Sequence, residues 1–310
     1  MLDEYALVPD IFDPAAYSNP AFIEMCLPHL KEPILREALV RDLCDGGWSN
    51  FCLQNSGSLH RLCREILKKL AAGNRLRRFP SSGAAGISCA ADWCNESINS
   101  SKVESLTGII AAHTTKQSFH TDAVASIEKV AGALWWQARS PSVTVDRKTV
   151  EYLRVLDRVL LQANSLMFID PNLNPSKPNF REFQKMLAPL AKRVIKPRVE
   201  IHRSFCEGDG PNRTFPTQAD WKEKFSPLEK ALESARVNIE VFFWDDFHER
   251  YLIADVVGIS VPAGFDVTGK ANDWSTWGRL GRDDKDKIQR LFDPAARADK
   301  LRWRFIIGKL

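Results

Sequence analysis

The stretch that decides the fold is residues 239–266, "IEVFFWDDFHERYLIADVVGISVPAGFD". An apolar run (Ile239, Val241, Phe242, Phe243) ends in Asp245 and Asp246. His248, Glu249 and Arg250 follow at once. The chain then turns apolar again at "RYLIADVVGISV" (250–261). Two strand-like segments with a charged connection between them place polar groups at the end of a sheet, where α/β folds build their sites.

Outward from this stretch, strands and helices alternate. "SLMFID" (165–170), "RVEIHRS" (198–204), "NIEVFFWD" (238–245) and "RWRFII" (302–307) read as strands. "FREFQKMLAPLAKRVI" (180–195), with a kink at Pro189, "DWKEKFSPLEKALESA" (220–235) and residues 283–292 read as helices. Asp146 is expected to cap a helix whose apolar face is Val150, Leu153, Leu156 and Leu160. The alternation predicts an α/β domain over 146–310, with a mixed sheet flanked by helices.

Residues 1–145 read differently, as a mainly helical N-terminal region. Pro9, Pro14, Pro20, Pro28 and Pro33 break its start into short pieces. Leu59, Leu62, Cys63, Ile66, Leu67 and Leu70 recur at helical spacing. "PSSGAAGISCAADWCNESINSS" (80–101) reads as a loop, and 121–138 as a helix. His113 and His120 are seven apart and could share a helix face, but with no Cys or acid at ligand spacing nearby they read as unlinked.

The 310 residues allow two modest domains. With 44% hydrophobic and 26% charged residues, the composition is that of a globular protein. The formal charge of +4 is compatible with an anionic partner. No apolar run is long enough to span a bilayer, so no membrane partner is expected. The start "MLDEYALVPD" lacks the basic and apolar regions of a secretory signal. Seven cysteines without regular spacing suggest reduced thiols in a cytoplasmic protein. Cys89 and Cys94 have no matching second pair, so no metal and no cofactor are expected.

His248, Arg250 and Asp255 are spaced H-x-R-x4-D. An imidazole attacks phosphorus or moves a proton near neutral pH. A guanidinium matches phosphate oxygens with a forked donor. An acid can orient an imidazole and fix its tautomer. Gly258, Ser260 and Gly264 follow as a small-residue run, and "FIDPNLNP" ends the first strand of the domain.

This spacing resembles the HxK(x4)D motif of the phospholipase D superfamily, with arginine in the lysine position. The strand–helix order of about 160–310 is similar to one half of that fold. The resemblance implies a metal-independent phosphodiesterase that forms a phosphohistidine intermediate, and a second motif copy supplied by homodimerisation. It implies His248 as nucleophile or acid/base, Arg250 as phosphate clamp and Asp255 as orienting acid. The family's GSxN segment is matched poorly by "GISVPAGFD". Arginine also stays charged where lysine can give up a proton.

Arg181, Lys185, Lys192 and Lys196 fall on one face of their predicted helix and could track a phosphate backbone, although a solvated face explains them equally. "DWSTWGRLGR" (273–282) sets Trp274 and Trp277 beside Arg279 and Arg282, a pattern that stacks bases, or a set of buried indoles. Two functions are therefore expected. One is a nuclease, a hydrolase serving bacterial defence against foreign DNA. The other is a catalytically inactive subunit that binds nucleic acid, or a partner protein through residues 1–145.

Overall fold

The computed structural model describes residues 1–19, 21–83, 86–208 and 210–308. It is a mixed α/β protein with two sheets. The chain divides into two compact units, Leu2–Ser140 and Pro141–Leu310, the second joined by Met1.

The first unit is rich in helix, but it also has a sheet that its sequence reading did not include. It is built on a five-stranded sheet of β1 (Asp3–Leu7), β2 (Ala38–Asp42), β3 (Leu76–Arg78), β4 (Gly108–Ala111) and β5 (Val124–Ser126), in the order β3-β2-β1-β4-β5. All four pairings are parallel. Parallel neighbours need crossovers. These are α1 (Ala21–Glu37), α2 (Leu43–Gln54), α3 (Arg61–Ala72), α4 (Ala90–Val103) and the single turn α5 (His113–Lys116); another single turn, α6 (Leu134–Gln137), follows β5.

Three expectations fail here. Pro28 and Pro33 do not break the chain but lie inside α1, whose buried face (Ile23, Leu27, Leu30, Ile34) is held by packing; Pro20 lies outside the described residues. The polar 80–101 stretch holds α4, because Trp93 and Cys94 bury against the core. Residues 121–138 hold β5, a 3₁₀ segment and α6 instead of one helix. His120 lies beyond α5, so it shares no helix face with His113. Helix α3 does bury Cys63, Ile66, Leu67 and Leu70.

The second unit carries an eight-stranded sheet. Its strands are β6 (Ser142–Asp146), β7 (Ser165–Ile169), β8 (Arg198–Ser204), β9 (Ile239–Trp244), β10 (Tyr251–Ala254), β11 (Gly258–Ser260), β12 (Trp274–Arg279) and β13 (Leu301–Ile307). The order is β13-β9-β8-β7-β10-β11-β12-β6. β7, β8 and β9 are parallel, and every other pairing is antiparallel.

Successive residues of a strand face opposite sides. Phe168 packs edge-on to Phe183, and Phe243 against Trp221. They belong to the face covered by α7 (Thr149–Gln162), α8 (Phe183–Met186), α9 (Gln218–Phe225) and α10 (Glu229–Ala235). Met167, Ile169 and Trp244 point the other way and pack with Ile288 and Phe292, at the end of α11 (Arg282–Leu291).

Asp146 ends β6 rather than capping α7, which starts after Lys148. The buried face of α7 is Tyr152, Val155, Leu156, Val159 and Leu160, whereas Val150 is exposed. The expected helix 180–195 is reduced to the short α8 and a 3₁₀ turn at Ala188–Lys192, because Pro189 has no N–H to continue an α-helix.

Candidate functional site

Because β7, β8 and β9 run together, their carboxyl ends (Ile169, Ser204, Trp244) share one edge of the sheet. β10 runs back against β7 with Tyr251 opposite Ile169, so residues 245–250 lie on that same edge. β11 returns with Ser260 opposite Tyr251, which brings the Val261–Gly264 turn there too. The charged connection in the opening sequence stretch therefore joins the carboxyl end of one core strand to the start of another.

Asp170, the residue after β7, anchors this edge. It is 1% exposed. Its carboxylate accepts the N–H of Asn172 at 2.9 Å and of Phe265 at 3.0 Å. Arg250 Nε stands 3.8 Å from Asp170 Oδ1. Burial pushes the Asp170 carboxyl above its ordinary range; the two N–H bonds and the Arg250 charge pull the other way. Gly264 has φ of +76°, and a Cβ there would come within 2.2 Å of Asp170 Oδ2. Only glycine lets the turn close over this acid.

Arg250 is 28% exposed and donates from Nη1 to the His248 carbonyl at 3.3 Å. His248 is exposed, and its backbone N–H donates to Glu249 Oε2 at 3.0 Å. Among the described residues the His248 imidazole makes no hydrogen bond. Asp245 pairs with Arg302 and, at 3.9 Å, with Lys300; Asp246 pairs with Arg213 at 2.6 Å. Carboxylates thus answer these cations around the histidine.

Two supports went unread in the sequence. The Arg203 guanidinium is buried, stacks 3.5 Å over Trp221, and donates to the carbonyls of Pro171, Leu173, Ser204 and Cys206. It fixes the loop that carries Asp170. Glu207 receives Asn174 at 2.7 Å and lies 3.1 Å from both Lys177 and Lys224. Burial alone would raise its carboxyl, yet these partners hold it down at about 2.

On the α11 side of the sheet lies a third group. Trp244 Nε1 donates to His202 Nδ1 at 3.0 Å, so the ring's proton is on Nε2, 3.1 Å from Glu200 Oε2. Arg198 closes the chain on Glu200 at 2.6 Å. His202 is fully buried and stacked on Phe242; burial lowers its pKa.

The structure separates the other expected site residues. Asp255 follows β10 at the opposite, amino edge and accepts the Asn164 N–H at 3.0 Å. A four-residue strand spans roughly 13 Å, so Asp255 does not orient His248. Lys196 is near the amino edge, before β8, and turns back onto the carbonyls of Leu190 and Ala191. Lys185 pairs with Glu182, while Arg181 and Lys192 are exposed on a segment that is not one helix. Arg279 and Arg282 lie toward the amino edge, where β12 ends and α11 begins. Trp277 is fully buried against Tyr152, so only Trp274 is exposed. Of the six basic residues expected to bind substrate, Lys196, Arg279 and Arg282 thus lie toward the edge opposite His248.

Among the described residues, no group of three or more His, Cys, Asp or Glu is placed to hold a metal, and no helix is long and apolar enough to cross a membrane. No family model and no curated protein matches the chain. A solved structure with a likeness to it is phosphatidylserine synthase from Haemophilus influenzae Rd KW20, at 15% identity and a TM-score of 0.31. The match covers 52% of this chain and only 38% of that enzyme's chain. At that level it defines neither a family nor an activity for this protein.

Proposed function

We propose that Pro141–Leu310 is a phospholipase D-like domain that binds a phosphodiester at the carboxyl edge of its sheet, through Arg250 and His248. The observation that carries this reading is the placement of Arg250. It is partly exposed, backed by Asp170 and tied to the His248 carbonyl, so the guanidinium stands beside an exposed histidine. A forked cation beside an imidazole suits a phosphate group. Binding is favoured over cleavage by a single chain because among the described residues no acid bonds the His248 ring, and arginine replaces the family's lysine. Nucleic acid is the phosphodiester to test first. In this reading the Leu2–Ser140 unit is free to carry a partner protein. The test is affinity for single- and double-stranded DNA and RNA, with and without Arg250→Ala. Binding that the substitution leaves unchanged rejects the site.

A second reading is supported by the exposed imidazole. A homodimer that brought two copies of His248 together would supply a nucleophile and a leaving-group acid. The protein would then be a metal-independent nuclease, and defence against foreign DNA its expected role. Cleavage that survives EDTA and disappears in His248→Ala supports this reading. A monomer by light scattering, with no cleavage, rejects it.

A further inference from the structure

Asp170 is the group at this edge whose role the binding reading leaves open. Its carboxylate already has two N–H donors, from Asn172 and Phe265. It therefore does not need Arg250 to satisfy its hydrogen bonding. At 3.8 Å the Arg250 contact is an ion pair without a hydrogen bond. Arg250 Nη1 is committed to a neutral carbonyl instead. An incoming anion meets a guanidinium that has a buried negative charge directly behind it.

We propose that Asp170 is a specificity-determining residue that restricts the Arg250 site to singly charged phosphate groups, phosphodiesters, and rejects doubly charged phosphomonoesters. The inference rests on the reading of Arg250 and His248 as the phosphate site. Asp170 answers the charge of Arg250 at the mouth. Glu249, bonded to the His248 N–H, adds a second negative charge beside it. Arg203 is on the inner side and is committed to four carbonyls. Asp266 is balanced by Arg147 at 2.6 Å. A second negative charge on the ligand meets this buried carboxylate in a medium that screens far less than water. Gly264 supports the assignment: its turn seals Asp170 from solvent, so the charge is not hydrated away.

Methyl sulfate and sulfate test the idea, as a monoanion and a dianion whose charges stay fixed through the working pH range. Each is titrated by the NMR shift of the Arg250 Nε–H. The wild type should prefer methyl sulfate. Asp170→Asn keeps an acceptor for the Phe265 N–H and removes the charge. It should raise sulfate affinity by about tenfold and methyl sulfate affinity clearly less. An unchanged ratio overturns the proposal. If Asp170→Asn does not fold, the same ratio is followed in His248→Gln as the pH is lowered. Asp170, facing Arg250, Arg203 and Asp266, takes its proton before ordinary carboxylates do. The sulfate preference should then rise above the usual carboxylate range, and a flat ratio overturns the proposal. Failure of the site reading looks different: Arg250→Ala would leave both affinities as they were, as judged by isothermal titration.

Discussion

Both sheets put arginine beside a carboxylate, but they do it in opposite ways. In the first unit Glu4 and Arg41 are both fully buried, with Arg41 Nε on Glu4 Oε1 at 2.8 Å. Arg77 reaches Glu4 Oε2 at 2.8 Å and Glu104 at 2.6 Å, and Arg41 also bonds the Glu104 carbonyl and Ser100. This group spans β1, β2 and β3, with Glu4 and Arg41 in the interior and Arg77 and Glu104 carrying it to the surface, and its charges answer one another. In the second unit Asp170 and Arg250 are at the edge, with a gap between them and the guanidinium open to solvent. Desolvation makes a closed network costly to breach but gives it nothing to offer a ligand. The open pair adds little stability and keeps a donor available.

The largest effect should therefore come from the closed network. Arg41→Ala leaves Glu4 buried with one partner fewer. Breaking a buried pair from one side costs about 3–5 kcal/mol. Denaturant unfolding should show that loss. Replacing both partners, as in Arg41→Met with Glu4→Gln, should recover part of it. A loss below about 1 kcal/mol for Arg41→Ala would mean that the network is not closed.

Arg250→Ala should do the reverse. Its exposed contribution to stability is expected to stay within about 1 kcal/mol. Phosphodiester binding should fall, and any cleavage should drop by about 10²–10³, the usual effect of removing a donor to developing charge. Arg250→Lys, which restores the residue of the resembled family, should retain much of the function. A large loss of stability with binding intact would place Arg250 with the closed network instead.

The same contrast explains what the sequence revealed. β7 and β9 show as apolar runs because both of their faces are covered. The strands of the first unit are short, and two of them carry charge into the interior: Glu4 in "DEYAL" and Arg41 in "ALVRD". A buried ion pair looks like surface in a sequence, so those segments do not read as core strands. The site shows the same limit. His248 and Arg250 stand out by their spacing. Asp170 reads equally as a neighbour of the site and as a turn residue before proline, and Arg203 as one more strand cation, since the partners that decide are Arg250 and Phe265 for the one and the carbonyls of Pro171 and Leu173 for the other, all distant in the chain. Asp255 was expected in the site from motif spacing, but the length of β10 carries it to the other edge.

The second unit also holds a charged group with one buried end, in which exposed Arg198 and buried His202 both meet Glu200. Here the effect should be smaller and should depend on pH. Burial lowers the His202 pKa below its ordinary 6.5. The unfolded chain then takes up a proton that the folded chain refuses. The stability that neutral His202 contributes is complete above pH 6.5 and is lost as the pH falls below it. The slope approaches about 1.4 kcal/mol per pH unit while only the unfolded state is protonated. Unfolding of wild type and His202→Gln across this range should show a flatter profile in the variant. Parallel profiles would mean that His202 titrates normally.

The smallest effect separates the two edges of the second sheet. Asp255 is the acid that motif spacing assigns to catalysis, yet its carboxylate bonds the Asn164 N–H where β7 begins, a strand's length from His248. An acid at that distance neither contacts a phosphate on Arg250 nor fixes the imidazole. Its role is to satisfy a backbone donor, and losing one such bond costs about 1 kcal/mol. Asp255→Ala should therefore lower the unfolding midpoint slightly while leaving phosphodiester affinity within about twofold of wild type. The edges then behave as separate systems, with binding at the carboxyl end and packing at the amino end. If binding collapses in Asp255→Ala while the midpoint holds, the acid acts on the site through β10. The strand would then be the link between the two ends, and the motif would work as one unit despite its length.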